Sequence, residues 1–103
     1  MKKILQVNFK FSELDREITN GFQSAASRYD NDVKGFIWKI WLVNQDEKTG
    51  SGILLFKDEI CARTYLDSEM VSQLRAHPNI RNVEGRVFDI LPEFTKITHG
   101  PVE

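Results

Sequence analysis

Few side chains in this sequence are equipped for chemistry, and they do not form a familiar metal or nucleophile motif. His77, beside Pro78, is the one neutral-pH base near structured sequence. It could act as a general base if the end of its helix faces a pocket. The segment Gly35-Phe-Ile-Trp-Lys-Ile-Trp41 sets a lysine between two tryptophans. Lys39 could offer positive charge to a phenolate, or snorkel at a sheet edge. Trp38 and Trp41 could stack on an aromatic ligand, or serve packing alone. Tyr65 could bond a substrate oxygen. Asn8 could orient a substrate oxygen or superoxide, or satisfy a backbone group. Arg86 is a further candidate for substrate binding, with a surface pair to Glu84 as the competing role. The catalytic candidates are therefore Asn8, Tyr65 and His77, and the substrate-binding candidates Trp38, Lys39, Trp41 and Arg86.

What is missing narrows the chemistry. There is no Gly-x-Gly-x-x-Gly and no Walker loop; Gly50-Ser-Gly52 reads as a turn and a strand start. With only His77 and His99, and with Cys61 alone, no metal-ligand spacing exists. No metal and no cofactor is expected. Ground-state oxygen reacts slowly with closed-shell molecules, so most oxygenases recruit a metal or flavin. A site without one needs an electron-rich substrate, such as a phenol or hydroquinone. It also needs an apolar pocket, a proton acceptor and donors for the developing anion.

The elements that must position these residues follow from periodicity. Residues 3–11 alternate, with Leu5, Val7, Phe9 and Phe11 on one side, which predicts a strand. Ser12 is the expected helix cap, with Glu13 and Asp15 in the first turn. Leu14, Ile18, Phe22, Ala25, Ala26 and Tyr29 recur at helical spacing. Residues 35–44 are β-branched and aromatic, a strand apolar on both faces. Simple alternation puts Phe36, Trp38, Ile40 and Leu42 on one face, and Ile37, Lys39, Trp41 and Val43 on the other. A polar turn and a third strand, 52–57, complete a hairpin. Asp58 caps a second helix that Asp67-Ser68 interrupts and Pro78 ends. A last strand spans 82–91, and no element is predicted after Pro92.

The order βαββαβ is a ferredoxin-like α+β fold: a four-stranded antiparallel sheet with two helices on one face. Two helices cover one face of such a sheet, and the other is also apolar. A second copy of the chain is the expected cover, giving a homodimer of the dimeric α+β barrel type. The domain is expected over 1–97, with 98–103 as a tail. The 103 residues suit one domain, and a net charge of −1 gives no reason to expect nucleic acid as partner. No apolar run has the length of a signal or membrane segment, and a lone thiol suits a reducing compartment. A cytoplasmic protein with no membrane partner is expected.

Four segments resemble the YdhR family, whose monooxygenase activity is assigned by similarity. They are Gly35-Phe-Ile-Trp-Lys-Ile-Trp41, Gly52-Ile-Leu-Leu-Phe-Lys-Asp-Glu59, Ala62-Arg-Thr-Tyr-Leu66 and Arg86-Val-Phe-Asp-Ile90. The resemblance runs from the first strand to about residue 97. It implies a dimeric α+β barrel and oxygenation of a small aromatic substrate by molecular oxygen. Three functions stay open: a cofactor-independent monooxygenase for a phenolic or quinol-like molecule, a non-catalytic binding module for an apolar metabolite, and a haem protein using His77 as axial ligand.

Overall fold

The computed structural model describes all residues from Met1 to Glu103. The strands β1 (Lys3–Phe11), β2 (Phe36–Asn44), β3 (Thr49–Phe56) and β4 (Ile80–Asp89) form one antiparallel sheet in the order β2-β3-β1-β4. Between them run α1 (Arg16–Ala26), the short α2 (Tyr29–Asp32), α3 (Glu59–Leu66) and α4 (Glu69–Ala76); α5 (Pro92–Ile97) follows β4. This is the ferredoxin-like α+β fold expected from the periodicity.

The core lies between the helices and one face of the sheet. Leu5, Val7, Phe9 and Phe11 project from β1 in strict alternation, and Leu54 and Phe56 join them from β3. Ile18, Tyr29, Cys61, Ala62, Tyr65 and Val71 meet them from the helices. Phe11 and Phe56 are among the largest fully buried side chains, so truncating either to alanine is worth ~3–5 kcal/mol.

The local signals account for most boundaries. Asp58 caps α3 by accepting the Cys61 amide at 2.8 Å. That bond holds its carboxyl below the usual carboxylate range. The helical run breaks at Asp67 and Ser68, as expected. The first cap is corrected: Asp15, not Ser12, accepts the Ile18 amide at 2.8 Å, and α1 begins at Arg16. Ser12 is instead held as an extension of β1, its amide donating to the Asn79 carbonyl. Asp15 also accepts from Asn79 Nδ2 at 2.7 Å, a second partner that outcompetes an early helix start.

Two bulges reset the alternation. In β2, Phe36 pairs with Phe56 and Trp38 with Leu55, so Ile37 is an extra residue. Phe36 therefore packs inward on Tyr29 and Phe56, while Trp38 pairs on the opposite face, correcting the shared face that simple alternation assigned them. In β4 the register slips between Glu84 and Arg81, where Asn82 takes a left-handed φ of 58°. That slip lets Ile80 and Val83 both reach the core, so the strand runs two residues earlier than expected at each end. Gly35, at φ 77°, is needed twice over, because a Cβ there would meet Cys61 Sγ at 2.5 Å.

The open face of the sheet is apolar and half-exposed, with Ile40, Leu42 and Phe88 between 44% and 47% accessible. The residues after Pro92, for which no element was expected, form α5. The chain then returns over one corner of this face, where the Trp38 indole donates to the Pro101 carbonyl at 2.8 Å.

Candidate active site

A cavity of about 450 Å³ lies between α1, α4 and the sheet. Its floor is set by glycine. Gly52 sits between Val7 of β1 and Trp41 of β2, and a Cβ at this position would lie 2.8 Å from Lys39 Cε. Gly50 makes the same allowance for the Phe9 ring, whose Cζ would be 2.2 Å from a Cβ. Most of the lining is apolar.

The polar centre is a chain of three groups from three elements. Lys39 Nζ, from β2, donates to Tyr29 Oη at 2.9 Å. Tyr29, the first residue of α2, meets Tyr65 Oη of α3 at 2.6 Å. Lys39 Nζ also lies 3.6 Å from the centroid of the Trp41 ring and 5.0 Å from that of Tyr29. No carboxylate lies within 4.0 Å of it. Burial without a counter-anion pushes the Lys39 amine down to about 8. Burial raises both tyrosines above the usual phenol range, so their hydroxyls stay protonated at neutral pH. Phe22 closes one wall on Trp41, with centroids 5.2 Å apart.

His77, at the end of α4, also lines the cavity. Its Nδ1 accepts the Asn79 amide at 3.1 Å. A neutral imidazole bonded in this way carries its proton on Nε2. That nitrogen is buried without a hydrogen-bond partner, and Glu17 Oε1 stands 3.6 Å away. In that tautomer Nε2 has no lone pair to accept with, and the nearest polar group to its proton is the Glu17 carboxylate.

The residues singled out from the sequence divide between two faces. Lys39, Trp41, Tyr65 and His77 converge on the cavity. Asn8, Trp38 and Arg86 lie on the open face. There Asn8 Oδ1 accepts from Ser51 Oγ at 2.7 Å and Gln6 Nε2 at 3.3 Å. Arg86 is exposed, pairs across the sheet with Gln6, and forms no ion pair with Glu84. Sequence reasoning missed Tyr29 as a site residue, although it is the middle of the polar chain. Its signal was its place in an apolar stripe, just before the Asp30-Asn31-Asp32 break.

The chain is thus a ferredoxin-like sheet roofed by helices over an aromatic, lysine-bearing cavity. Residues 4–101 match the family described as "Putative mono-oxygenase ydhR", and the chain belongs to that family. None of the curated proteins matches it in sequence. Among solved structures it is similar in fold to SnoaB, "a cofactor-independent oxygenase" from Streptomyces nogalater. That match has 19% identity and TM-score 0.65, covering 88% of this chain and 97% of that one. A "putative antibiotic biosynthesis monooxygenase" from Deinococcus radiodurans matches with 11% identity and TM-score 0.64, covering 87% and 92%. An MhuD mutant with two manganese protoporphyrin IX molecules bound per active site matches with 13% identity and TM-score 0.62, covering 85% and 94%.

Proposed function

We propose that this protein is a cofactor-independent monooxygenase for a small phenolic or quinol-like substrate, acting as a cytoplasmic homodimer. The observation that carries the reading is Lys39, a cation with no counter-anion on the wall of an aromatic cavity. With its amine at about 8, both protonation states are populated near neutral pH. The free amine takes the phenolic proton, and the ammonium so formed faces the phenolate. Phenolate is electron-rich enough to reduce molecular oxygen without a metal. For a phenol with a free para hydrogen, one oxygen atom enters the ring to give a quinone and the other leaves as water. The Tyr29 and Tyr65 hydroxyls, which stay protonated beside the amine, are the donors nearest the oxygen-centred anion. The family and the fold shared with an oxygenase support the same direction.

The homodimer is supported by the half-exposed Ile40, Leu42 and Phe88, an apolar surface that a second copy would bury. The haem reading has less support: it rests on His77, and an imidazole whose Nδ1 accepts the Asn79 amide has no lone pair on Nε2 to offer iron.

Oxygen uptake tests the proposal. A panel of phenols and hydroquinones should include substrates consumed with oxygen by the wild-type protein and not by Lys39→Met. No uptake across the panel, or undiminished uptake by Lys39→Met, would overturn it. Ligand-dependent thermal stabilisation without turnover would instead establish the binding-module reading.

A further inference from the structure

We propose that Lys39 is also a carbonyl-capturing amine, which condenses reversibly with a small aromatic aldehyde in the cavity to form an imine. The inference goes beyond the oxygenase reading and needs no oxygen. Three features of the geometry carry it. The amine faces the cavity with no carboxylate to hold it as an ion pair. It rests against the Trp41 ring, which leaves a flat aromatic aldehyde with an aromatic and apolar wall to pack on. Its nearest polar neighbour is Tyr29 Oη at 2.9 Å, a hydroxyl that is itself backed by Tyr65 Oη at 2.6 Å. An amine with an adjacent phenolic acid is the pair of groups that imine formation uses. The lowered amine pKa adds free base at neutral pH, and the raised tyrosine pKa values keep the acid protonated.

The steps balance. The Nζ lone pair attacks the carbonyl carbon, and one proton moves from Nζ to the former carbonyl oxygen, giving a carbinolamine. Tyr29 Oη then donates its proton as that hydroxyl leaves as water. The resulting iminium returns its proton to the Tyr29 oxygen, and the neutral imine remains. Tyr65 holds the Tyr29 oxygen by hydrogen bond while it is briefly anionic. Addition of water reverses the sequence.

Reductive trapping tests this under nitrogen with wild-type protein, benzaldehyde and sodium cyanoborohydride at neutral pH, read by intact mass and peptide mapping. The expected result is one benzyl group at Lys39, formed at least roughly tenfold faster than at Lys34 or Lys57, whose amines are not set in the cavity. Excess benzyl alcohol, which has the ring but no carbonyl, should slow labelling at Lys39 and leave the N-terminal amine unaffected. Tyr29→Phe should slow labelling at Lys39 alone. A label spread over surface lysines with Lys39 unmodified, or labelling at Lys39 that benzyl alcohol does not slow, would overturn the proposal. Because the assay excludes oxygen, its failure leaves the oxygenase reading standing, and absent oxygen uptake leaves this one standing.

Discussion

The hydroxyl oxygens of Tyr29 and Tyr65 stand 2.6 Å apart, joining α2 and α3, the helices that flank the β2–β3 hairpin in sequence. Both tyrosines are buried; Tyr65 Oη has Tyr29 Oη as its partner, while Tyr29 Oη also accepts from Lys39 Nζ. Tyr29→Phe orphans both Tyr65 Oη and Lys39 Nζ and should cost ~1–3 kcal/mol; Tyr65→Phe should cost about 1 kcal/mol. Urea denaturation of the double variant should show a loss smaller than the sum, by ~1 kcal/mol, because the two changes remove one shared bond.

Lys39 makes stability depend on alkaline pH. Its amine binds a proton less readily in the folded chain, at about 8, than in the unfolded one, at 10.5. Between those values the unfolded state holds more protons, so stability rises with pH across the window. Below about 8 the destabilisation is present in full, on the order of 3 kcal/mol. Lys39→Met should therefore be the more stable protein at pH 7, and the advantage should shrink as pH approaches 10.5. The difference between the two proteins isolates Lys39 from the two tyrosines. A constant difference would show that the amine carries no burial penalty.

The glycines of the cavity floor should respond differently. Gly50→Ala drives a methyl into the Phe9 ring, which core packing holds in place, and should destabilise by ~1–3 kcal/mol. Gly52→Ala meets the flexible end of Lys39 at close range and Leu54 Cδ1 at ordinary contact distance. It should leave stability nearly unchanged while slowing benzaldehyde capture at that residue, a contrast that thermal melts and mass spectrometry together would reveal.

The cap at Asp15 offers a simpler measure. Asp15→Ala removes both the Ile18 amide's acceptor and the partner of Asn79, and should cost ~1–2 kcal/mol by chemical denaturation. Ser12→Ala, at the position the sequence alone favours, should cost less.

For the proposed homodimer, Leu42→Glu sets a charge on the open face without touching the helix-side core. Sedimentation should show the wild type at twice the chain mass and the variant at once. A wild type that sediments as a single chain would remove the dimer.

How much could be read in advance depended on which signals were local. The alternation of Leu5, Val7, Phe9 and Phe11 fixed the inward face of β1 because nothing interrupts it. Asp58 was legible as a cap because strand residues end immediately before it. Ser12 misled because the true cap is chosen by Asn79, far along the chain. Phe36 misled because a bulge is a property of pairing with β3, and the β2 sequence alone does not encode it. The site was half legible: Lys39 and Trp41 share a face by spacing, but that Tyr29, Tyr65 and His77 join them is settled only when α2, α3 and α4 fold back over the sheet. Asn8 and Arg86 had the right chemistry and sit on the other side of the sheet, which composition cannot distinguish.

The extra residue in β2 has an effect out of proportion to its size. Ile37 is exposed and has no place in the pairing of Phe36 with Phe56 and Trp38 with Leu55. Excising it would join an inward Phe36 directly to an outward Trp38, which is what an unbroken pleat does anyway, so the lysine would keep its side of the sheet. Losing Ile40 would do the reverse, placing Lys39 and Trp41 on opposite faces of the sheet. One extra residue in this strand is harmless to lose, while a single loss three positions later would part the lysine from the tryptophan it rests on.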